Sequence, residues 1–257
     1  MGKCGTEVAK DASEMVIKDD NFATIVYAVQ EGRTIYGNIQ KFIYYLLPGN
    51  FSGVMLILIA TLAGFFPPLT PLMILFINLV TSDIPALGLA FEKPDKHIML
   101  QKPRHPKEPI LSPYILLKIS QVVPIMFLGT LLLYMWEFNY AHADLETART
   151  VAFVSVILFT LFHTLNAKNF SKTLFRRETL TNPLMYMGLG ISLTVMFLVV
   201  YAPPLQPIFS TVSLSLRQWI PILITTGSVI AFVEVQKTII ESEIREREQS
   251  NVHPTRG

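Results

Sequence analysis

A stretch without charged residues decides the fold: residues 42–82 read FIYYLLPGNFSGVMLILIATLAGFFPPLTPLMILFINLVTS. No charged side chain occurs between Lys41 and Asp83, and a bilayer span needs about 20 mostly apolar residues. The prolines at 67, 68 and 71 interrupt the stretch near its middle, where no continuous helix can form. We therefore predict two membrane-spanning helices joined by a short turn, over residues 42–63 and 71–90.

The rest of the chain continues this pattern. Uncharged or nearly uncharged segments predict four more spans, at residues 112–136, 150–167, 183–201 and 218–236. The chain is 51% hydrophobic and 16% charged, whereas a soluble domain carries about 25% charged residues. The predicted fold class is an all-α polytopic membrane protein, with a six-helix transmembrane domain at 42–236 and a charged tail at 237–257.

Composition excludes several functional classes. The single cysteine, Cys4, excludes a disulfide scaffold and a zinc site built from cysteines. The formal net charge is +2, and the basic residues lie in loops, so nothing indicates nucleic-acid binding. The predicted partner is the lipid bilayer, with no nucleic acid.

Basic residues in the loops predict the orientation, because lysine and arginine are retained on the cytoplasmic side. They concentrate in the N-terminal arm, in the loops after the second and fourth spans and in the tail, and only Arg149 and Arg217 fall on the other side. Six spans place both ends of the chain on one side. We therefore expect an integral, multi-pass membrane protein with both termini cytoplasmic.

The arm before the first span is mixed in character. Residues 15–17 (Met-Val-Ile) predict a short strand, and residues 19–21 (Asp-Asp-Asn) predict a turn and a helix cap. From Phe22, apolar residues recur at helical spacing and run into the first span without a proline. Two interpretations remain open, a helix on the membrane surface or a stalk joining a soluble domain to a membrane helix.

Polar residues inside the first two spans are the functional candidates, since such groups are costly at membrane depth unless they have partners. They are Asn50, Asn78, Thr81, Ser82 and Asp83. In a regular helix Asn78, Thr81 and Ser82 share one face and Asp83 points away, while Pro85 releases the carbonyl of Thr81. Such oxygens are ligands for hard cations such as Na⁺, K⁺ or Ca²⁺. The alternative is a hydrogen bond between Asn50 and Asn78 that joins two helices.

Four weaker polar groups lie in the later spans: Lys118, Gln121, His163 and Glu234. Lys118 is expected to extend to the membrane interface rather than to serve as counter-ion for the carboxylate. Gln121 predicts a hydrogen bond between packed helices, and His163 predicts packing rather than proton transfer. Glu234 is expected to form a boundary ion pair with Lys237.

Two segments resemble type II P-type cation-transporting ATPases. The first is residues 5–26 (GTEVAKDASEMVIKDDNFATIV) with Glu31-Gly32-Arg33 and residues 39–42, and the second is residues 78–92 (NLVTSDIPALGLAFE). The resemblance covers about residues 1–110 in its motifs and the whole chain in its number of spans. It implies that residues 1–41 are the end of the phosphorylation domain, a remnant of an α/β domain, with a stalk helix. The spans then correspond to membrane helices five to ten of a pump.

The same resemblance places Asn50, Asn78, Thr81 and Ser82 at cation-ligand positions and makes Thr160 a secondary candidate. Gln121 is a second secondary candidate, as a polar side chain inside a span. Departures lie at the carboxylates. Calcium pumps have a glutamate where this chain has Gly53, an aspartate where it has Ser82, and a glutamate where it has Thr160. Fewer carboxylates argue for fewer or monovalent ions, and the Thr-Ser-Asp-Ile-Pro-Ala stretch is similar to sodium or potassium efflux pumps of fungal type.

The catalytic motifs of such pumps are not found in these residues. There is no Asp-Lys-Thr-Gly phosphorylation motif, no Thr-Gly-Glu motif and no Gly-Asp-Gly-x-Asn-Asp hinge for Mg²⁺. We expect a C-terminal piece of a pump, inactive as an ATPase alone and needing no cofactor itself. The complete pump would use MgATP and a transported cation, with its N-terminal domains or a partner chain supplying the rest. The alternatives are an accessory or regulatory membrane protein, or an autonomous six-helix transporter or channel.

Overall fold

A computed structural model describes residues 1–94, 98–100, 103, 109–168 and 182–252, with side chains described up to residue 239. Its α-helices are α1 (Glu7–Asp11), α2 (Phe22–Leu62), α3 (Pro71–Phe76), α4 (Asp83–Ala90), α5 (Pro113–Met135), α6 (Leu145–Lys168), α7 (Pro183–Tyr201), α8 (Gln206–Phe209) and α9 (Leu216–Val252). Two π-helical segments, Ile77–Ser82 and Trp136–Tyr140, continue α3 and α5, and a short 3₁₀ turn covers Ile98–Leu100.

Six helices in the described ranges are long and apolar enough to cross a bilayer: Phe22–Leu62, Pro71–Ala90, Pro113–Tyr140, Leu145–Lys168, Pro183–Tyr201 and Leu216–Ile239. This confirms the all-α polytopic membrane fold. The first, third, fourth and sixth helices extend beyond the predicted spans, because a helix continues past the hydrocarbon core wherever no proline or cap ends it. Helix α2 in particular runs unbroken from Phe22, so the periodic arm and the first span form one helix.

The predicted strand at residues 15–17 is wrong, since no strand occurs in the part of the chain that the structure describes. A strand needs a partner along its length, and here the neighbouring backbone supplies one hydrogen bond, from the N–H of Gly2 to the carbonyl of Ile17 at 2.7 Å. The predicted turn and cap are correct. Asn21 caps α2, and its side chain accepts a hydrogen bond from the N–H of Ala23.

Three membrane helices begin with the same local chemistry, a capping side chain followed by proline. Thr70, Ser112 and Asn182 each accept a hydrogen bond from the backbone N–H three residues later. The following proline lacks only an N–H that the first turn would leave unbonded anyway. These dipeptides explain why α3, α5 and α7 begin where they do.

Helix α6 lies at the centre of the bundle. Of its most apolar stretch 89% is buried, against at most 50% for the other five spanning helices. It packs against α2, α5 and α9, and its Phe153 and Ile157 belong to the main apolar core. Helix α2 therefore packs against a helix that is itself enclosed on nearly all sides.

Helices α4 and α7 pack with their backbones in close contact. A Cβ atom at Gly88 would lie 2.4 Å from Cα of Met185, and one at Gly188 would lie 3.1 Å from the carbonyl oxygen of Ile84. The Ser192 hydroxyl also donates a hydrogen bond of 3.1 Å to the carbonyl of Val80. Small residues thus hold α7 against the π-helical segment and α4.

Candidate cation site

A cavity of about 420 Å³ opens between α2, the segment from α3 to α4, and α6. Its polar lining consists of Asn50, Asn78, Ser82, Asp83 and Thr160, and the rest is largely apolar, including Leu46, Val54 and Ile57. Five of the seven predicted site residues therefore meet at one cavity, although Thr160 lies far from the others in sequence. Thr81 and Gln121 do not line it.

The π-helical segment Ile77–Ser82 brings Asp83 to this cavity. Residues five apart in an α-helix point about 140° away from each other, which is why Asp83 was expected to face away from Asn78. In the structure the N–H of Asp83 bonds to the carbonyl of Asn78, and this i to i+5 bond stacks the two residues. The expectation for Asp83 is therefore wrong, because the wider turn changes the register.

The same wider turn removes Thr81 from the site. Thr81 is fully buried, and its hydroxyl donates a hydrogen bond of 2.6 Å to the carbonyl of Ile77 within the helix. The carbonyl that Pro85 releases has a donor from another helix, because it accepts a hydrogen bond from the Tyr45 hydroxyl at 3.2 Å. The expected face of Asn78, Thr81 and Ser82 with a free carbonyl is thus replaced by Asn78, Ser82 and Asp83.

Helix α6 supplies the opposite wall through Thr160. Its hydroxyl donates to the carbonyl of Val156 at 2.8 Å, so the oxygen lone pairs remain for a ligand. Gly49 on α2 lies beside this hydroxyl, since a Cβ atom at that position would be 3.4 Å from the Thr160 Oγ1. Asn50 follows Gly49 directly and lines the same cavity.

The side chains of Asn50, Asn78 and Asp83 are exposed at the open side of the cavity. No hydrogen bond joins the two asparagines within the described ranges, so the alternative in which they bond to each other does not occur there. No three His, Cys, Asp or Glu side chains of the described residues could hold a metal together. The donor set is one carboxylate with amides and hydroxyls, which suits a hard cation.

The weaker candidates have structural partners elsewhere. Gln121 on α5 accepts a hydrogen bond of 2.7 Å from the Gln236 amide on α9, which is the packing contact expected for it. The Lys118 ammonium lies 4.5 Å from the centre of the Tyr114 ring, one turn towards the start of α5. Lys237 pairs with Glu234 at 3.0 Å, as predicted.

The hydrogen-bond partners of two buried side chains near the cavity could not be predicted from the sequence. Tyr45 and His163 each lie close to a carbonyl released by a proline, the first at Thr81 and the second at Tyr44. The prolines Pro48 and Pro85 indicate which carbonyls lose their helical partner. No sequence signal indicates which side chain of another helix will replace it.

A buried polar cluster was also missed, at the ends of α4, α6 and α7. The Lys168 ammonium lies 3.7 Å from the Glu92 carboxylate, and both side chains are at most 9% exposed. The Asn182 amide donates to Glu92 at 2.6 Å and to the carbonyl of Gly88 at 2.7 Å. In the sequence Lys168 reads as a loop residue, whereas the structure makes it the last residue of α6.

Comparison with known proteins agrees with this geometry. Residues 66–239 match the family model described as "Cation transporting ATPase, C-terminus". The chain belongs to this family. In this cation-transporting ATPase C-terminal chain, the matched residues contain five of the six spanning helices. They also contain more than half of the residues that line the cavity.

Similar proteins in this family carry calcium in their names. The chain is 37% identical over 238 residues to a calcium-transporting ATPase of Bacillus subtilis, covering 90% of this chain and 27% of that protein. It is 34% identical over 255 residues to human calcium-transporting ATPase type 2C member 1, covering 99% and 27%. A calcium-transporting ATPase 1 of Yarrowia lipolytica is 31% identical over 242 residues, covering 94% and 26%. The chain thus spans about a quarter of the length of these relatives.

Proposed function

We propose that this chain is the C-terminal membrane part of an ATP-driven cation pump and supplies one side of its cation site. The observation that carries the proposal is the meeting of Asn50, Asn78, Ser82, Asp83 and Thr160 at one cavity. Membrane proteins seldom place a carboxylate and two amides together at membrane depth without a ligand or a functional partner. Membership of the cation-transporting ATPase family supports the same conclusion.

The donor set favours a single hard cation at this cavity. One carboxylate, at Asp83, supplies one negative charge, and ligand charge tunes divalent affinity. Gly53, Ser82 and Thr160 supply none. The calcium names of the relatives favour Ca²⁺, and the reduced charge favours fewer ions per cycle or a monovalent ion. Ca²⁺, Na⁺ and K⁺ are therefore the ions to test.

Helix α2 is suited to transmit movement into this cavity. It has 41 residues, which makes it about 60 Å long, and it carries Asn50. Its N-terminal half is hydrogen-bonded to the end of α4 and to the residues that follow. Asn38 donates to the carbonyls of Ala90 and Glu92 at 3.1 and 2.8 Å, and Arg33 donates to that of Ile98 at 2.9 Å. In the complete pump, other domains would hydrolyse MgATP and move this helix.

The exposed side of the cavity supports the need for further pump segments. Asn50, Asn78 and Asp83 are exposed in this chain, and polar groups facing lipid at this depth are unfavourable. We infer that N-terminal helices of the same protein, or a partner chain, cover them. The chain by itself is expected to hydrolyse no ATP, because phosphoryl transfer needs positioned phosphate and Mg²⁺ ligands.

Replacement of Asp83 tests the site in the complete pump. In Asp83→Asn we expect the cation concentration for half-maximal ATP hydrolysis to rise by about tenfold or more, since a charged ligand is lost. Ca²⁺, Na⁺ and K⁺ are titrated separately. Asp144→Asn, outside the cavity lining, is the matched control and should behave as wild type. Unchanged cation dependence in Asp83→Asn would contradict the proposal, and so would ion flux through vesicles containing this chain alone.

We also propose that both termini are cytoplasmic. The distribution of lysine and arginine supports this orientation, although the loop at 169–181 lies outside the described residues. Cys4 is the only cysteine in these 257 residues and is exposed, so in a pump whose other segments carry no cysteine a membrane-impermeant maleimide reports its side directly. Labelling in inside-out but not in right-side-out vesicles is expected, and the reverse pattern would refute the orientation.

A further inference from the structure

His163 lies against a proline-released carbonyl one turn before the cavity. Pro48 has no N–H, so the carbonyl of Tyr44, four residues earlier on α2, loses its helical partner. His163 on α6 is fully buried, with its Nε2 atom 3.0 Å from that carbonyl oxygen. Because a carbonyl can only accept, Nε2 carries the proton and donates.

This bond lies next to a second contact between α2 and α6. Thr160, one turn before His163, lines the cavity, and its Oγ1 would lie 3.4 Å from a Cβ atom at Gly49. The two contacts thus join one short stretch of each helix. On α2 it contains Tyr44, Pro48 and Gly49, and on α6 it contains Thr160 and His163. Asn50 directly follows Gly49 in α2 and lines the cavity next to these contacts.

We propose that His163 is a positioning residue for cation binding. It replaces the hydrogen bond that Pro48 removes and so sets the position of Asn50 relative to Thr160. This inference rests on the proposed function, in which both residues contribute to a cation site. No contact between His163 and the ion is required.

The surroundings of the imidazole favour positioning over proton transfer. Its ring packs edge-on against the Tyr44 ring, with the centroids 4.8 Å apart and the planes at 64°, which orients Nε2 towards the carbonyl. No protein group among the described residues bonds to the Nδ1 atom. The imidazole ring therefore presents one oriented donor, Nε2–H, to the backbone of α2.

The role of His163 can be tested by removing Pro48, because this restores the backbone hydrogen bond that the histidine otherwise replaces. In Pro48→Ala the N–H of residue 48 can bond to the carbonyl of Tyr44, and His163 becomes dispensable. The complete pump is prepared as wild type, His163→Ala, His163→Gln, Pro48→Ala, and the Pro48→Ala/His163→Ala double variant. The readouts are the Ca²⁺, Na⁺ or K⁺ concentration for half-maximal ATP hydrolysis, the maximal rate, and the amount of monodisperse protein.

We expect His163→Ala to raise the half-maximal cation concentration about tenfold with a smaller effect on the maximal rate, since a buried acceptor loses its donor. His163→Gln, which keeps an N–H donor, should recover most of this loss. In the Pro48→Ala background the histidine replacement should change the half-maximal concentration by less than about twofold. If His163→Ala yields no folded protein, the half-maximal cation concentration of the double variant is compared with that of Pro48→Ala, and this comparison still tests the inference.

Two outcomes would overturn the inference. The first is an unchanged cation requirement in His163→Ala while Asp83→Asn still alters it, which leaves the proposed function intact. The second is an equal loss from His163→Ala with and without Pro48, because positioning through the Tyr44 carbonyl requires the two effects to depend on each other. A wild-type pump without cation-dependent hydrolysis would instead refute the proposed function itself.

Discussion

The hydroxyl of Tyr45 donates a hydrogen bond of 3.2 Å to the carbonyl oxygen of Thr81. This carbonyl is the one that Pro85 leaves without a helical partner. Tyr45 is fully buried and lies just over one turn before Asn50 on α2. The bond therefore connects α2 to the π-helical segment and fixes the two walls of the cavity to each other.

Removal of this hydroxyl should loosen the connection. Tyr45→Phe leaves the Thr81 carbonyl buried without a donor, which costs about 1–3 kcal/mol. We expect a lower thermal unfolding temperature in detergent and a higher cation requirement in the complete pump. Tyr27→Phe, at a side chain that is 68% exposed, is the control and should match wild type. Equal stability of the two variants would show that the bond contributes nothing.

The π-helical turn places Ser82 at the cavity and Thr81 away from it. Ser82 lines the cavity, whereas Thr81 is fully buried and is not among the residues that line it. In the complete pump we expect Ser82→Ala to raise the half-maximal cation concentration about tenfold and Thr81→Val to change it by less than about twofold. Titration of cation-dependent ATP hydrolysis measures both. A larger effect at Thr81 would mean that this segment is a regular α-helix in the working pump.

The contact between α4 and α7 should tolerate no added methyl group. A Cβ atom at Gly88 would lie 2.4 Å from Cα of Met185, so Gly88→Ala forces backbone atoms apart, and overpacking of this kind costs about 1–3 kcal/mol or more. Gly190→Ala, on α7 with nothing within 4 Å of the new Cβ, is the matched control. The yield of monodisperse protein and its unfolding temperature should fall for Gly88→Ala alone.

The buried pair of Glu92 and Lys168 should be sensitive to loss of one charge. Glu92→Gln removes the carboxylate that lies 3.7 Å from the Lys168 ammonium, in a side chain only 2% exposed, and breaking a buried pair costs about 3–5 kcal/mol. The exposed pair of Glu7 and Lys10 is the control, because Glu7→Gln should cost less than about 1 kcal/mol. Chemical unfolding in detergent compares them, and similar small costs would contradict the expectation.

The single cysteine reports the local structure of the N-terminal arm. Hydrogen bonding to the Asp20 carboxylate, together with repulsion by its charge, raises the pKa of the Cys4 thiol. Below that pKa the raised value lowers the thiolate fraction, which is the reactive form. Asp20→Asn should therefore move the pH profile of alkylation by iodoacetamide to lower pH and speed the reaction at pH 7.5.

Asp19→Asn is the control for this experiment, because the hydrogen bonds of Asp19 go to Thr24 and Asn21 rather than to Cys4. Its alkylation profile should follow that of wild type. If Asp20→Asn gives the wild-type profile as well, Asp20 does not contact Cys4 in solution.

Much of the fold could be predicted because a bilayer imposes strong constraints on sequence. Long gaps between charged residues locate the membrane spans. The pairs Thr70-Pro71 and Asn182-Pro183 indicate the residue at which their helices begin. The N-terminal strand was mispredicted for the opposite reason. Residues 15–17 have strand-like composition, but a strand depends on pairing with distant backbone, which local composition does not encode.

Most polar residues of the candidate site could also be predicted from the sequence. Asn50, Asn78, Ser82 and Asp83 interrupt apolar helices, and polar side chains at membrane depth are energetically costly without partners. Composition and charge pattern define the class of protein, the spans and the residues that need polar partners. Which partners these residues have depends on how the helices pack. The π-helical register turns Asp83 towards the cavity and Thr81 away from it, and packing against α6 brings Thr160 beside Gly49. Hydrogen-bond register and interhelical distance arise from contacts between distant segments, and no local pattern specifies them.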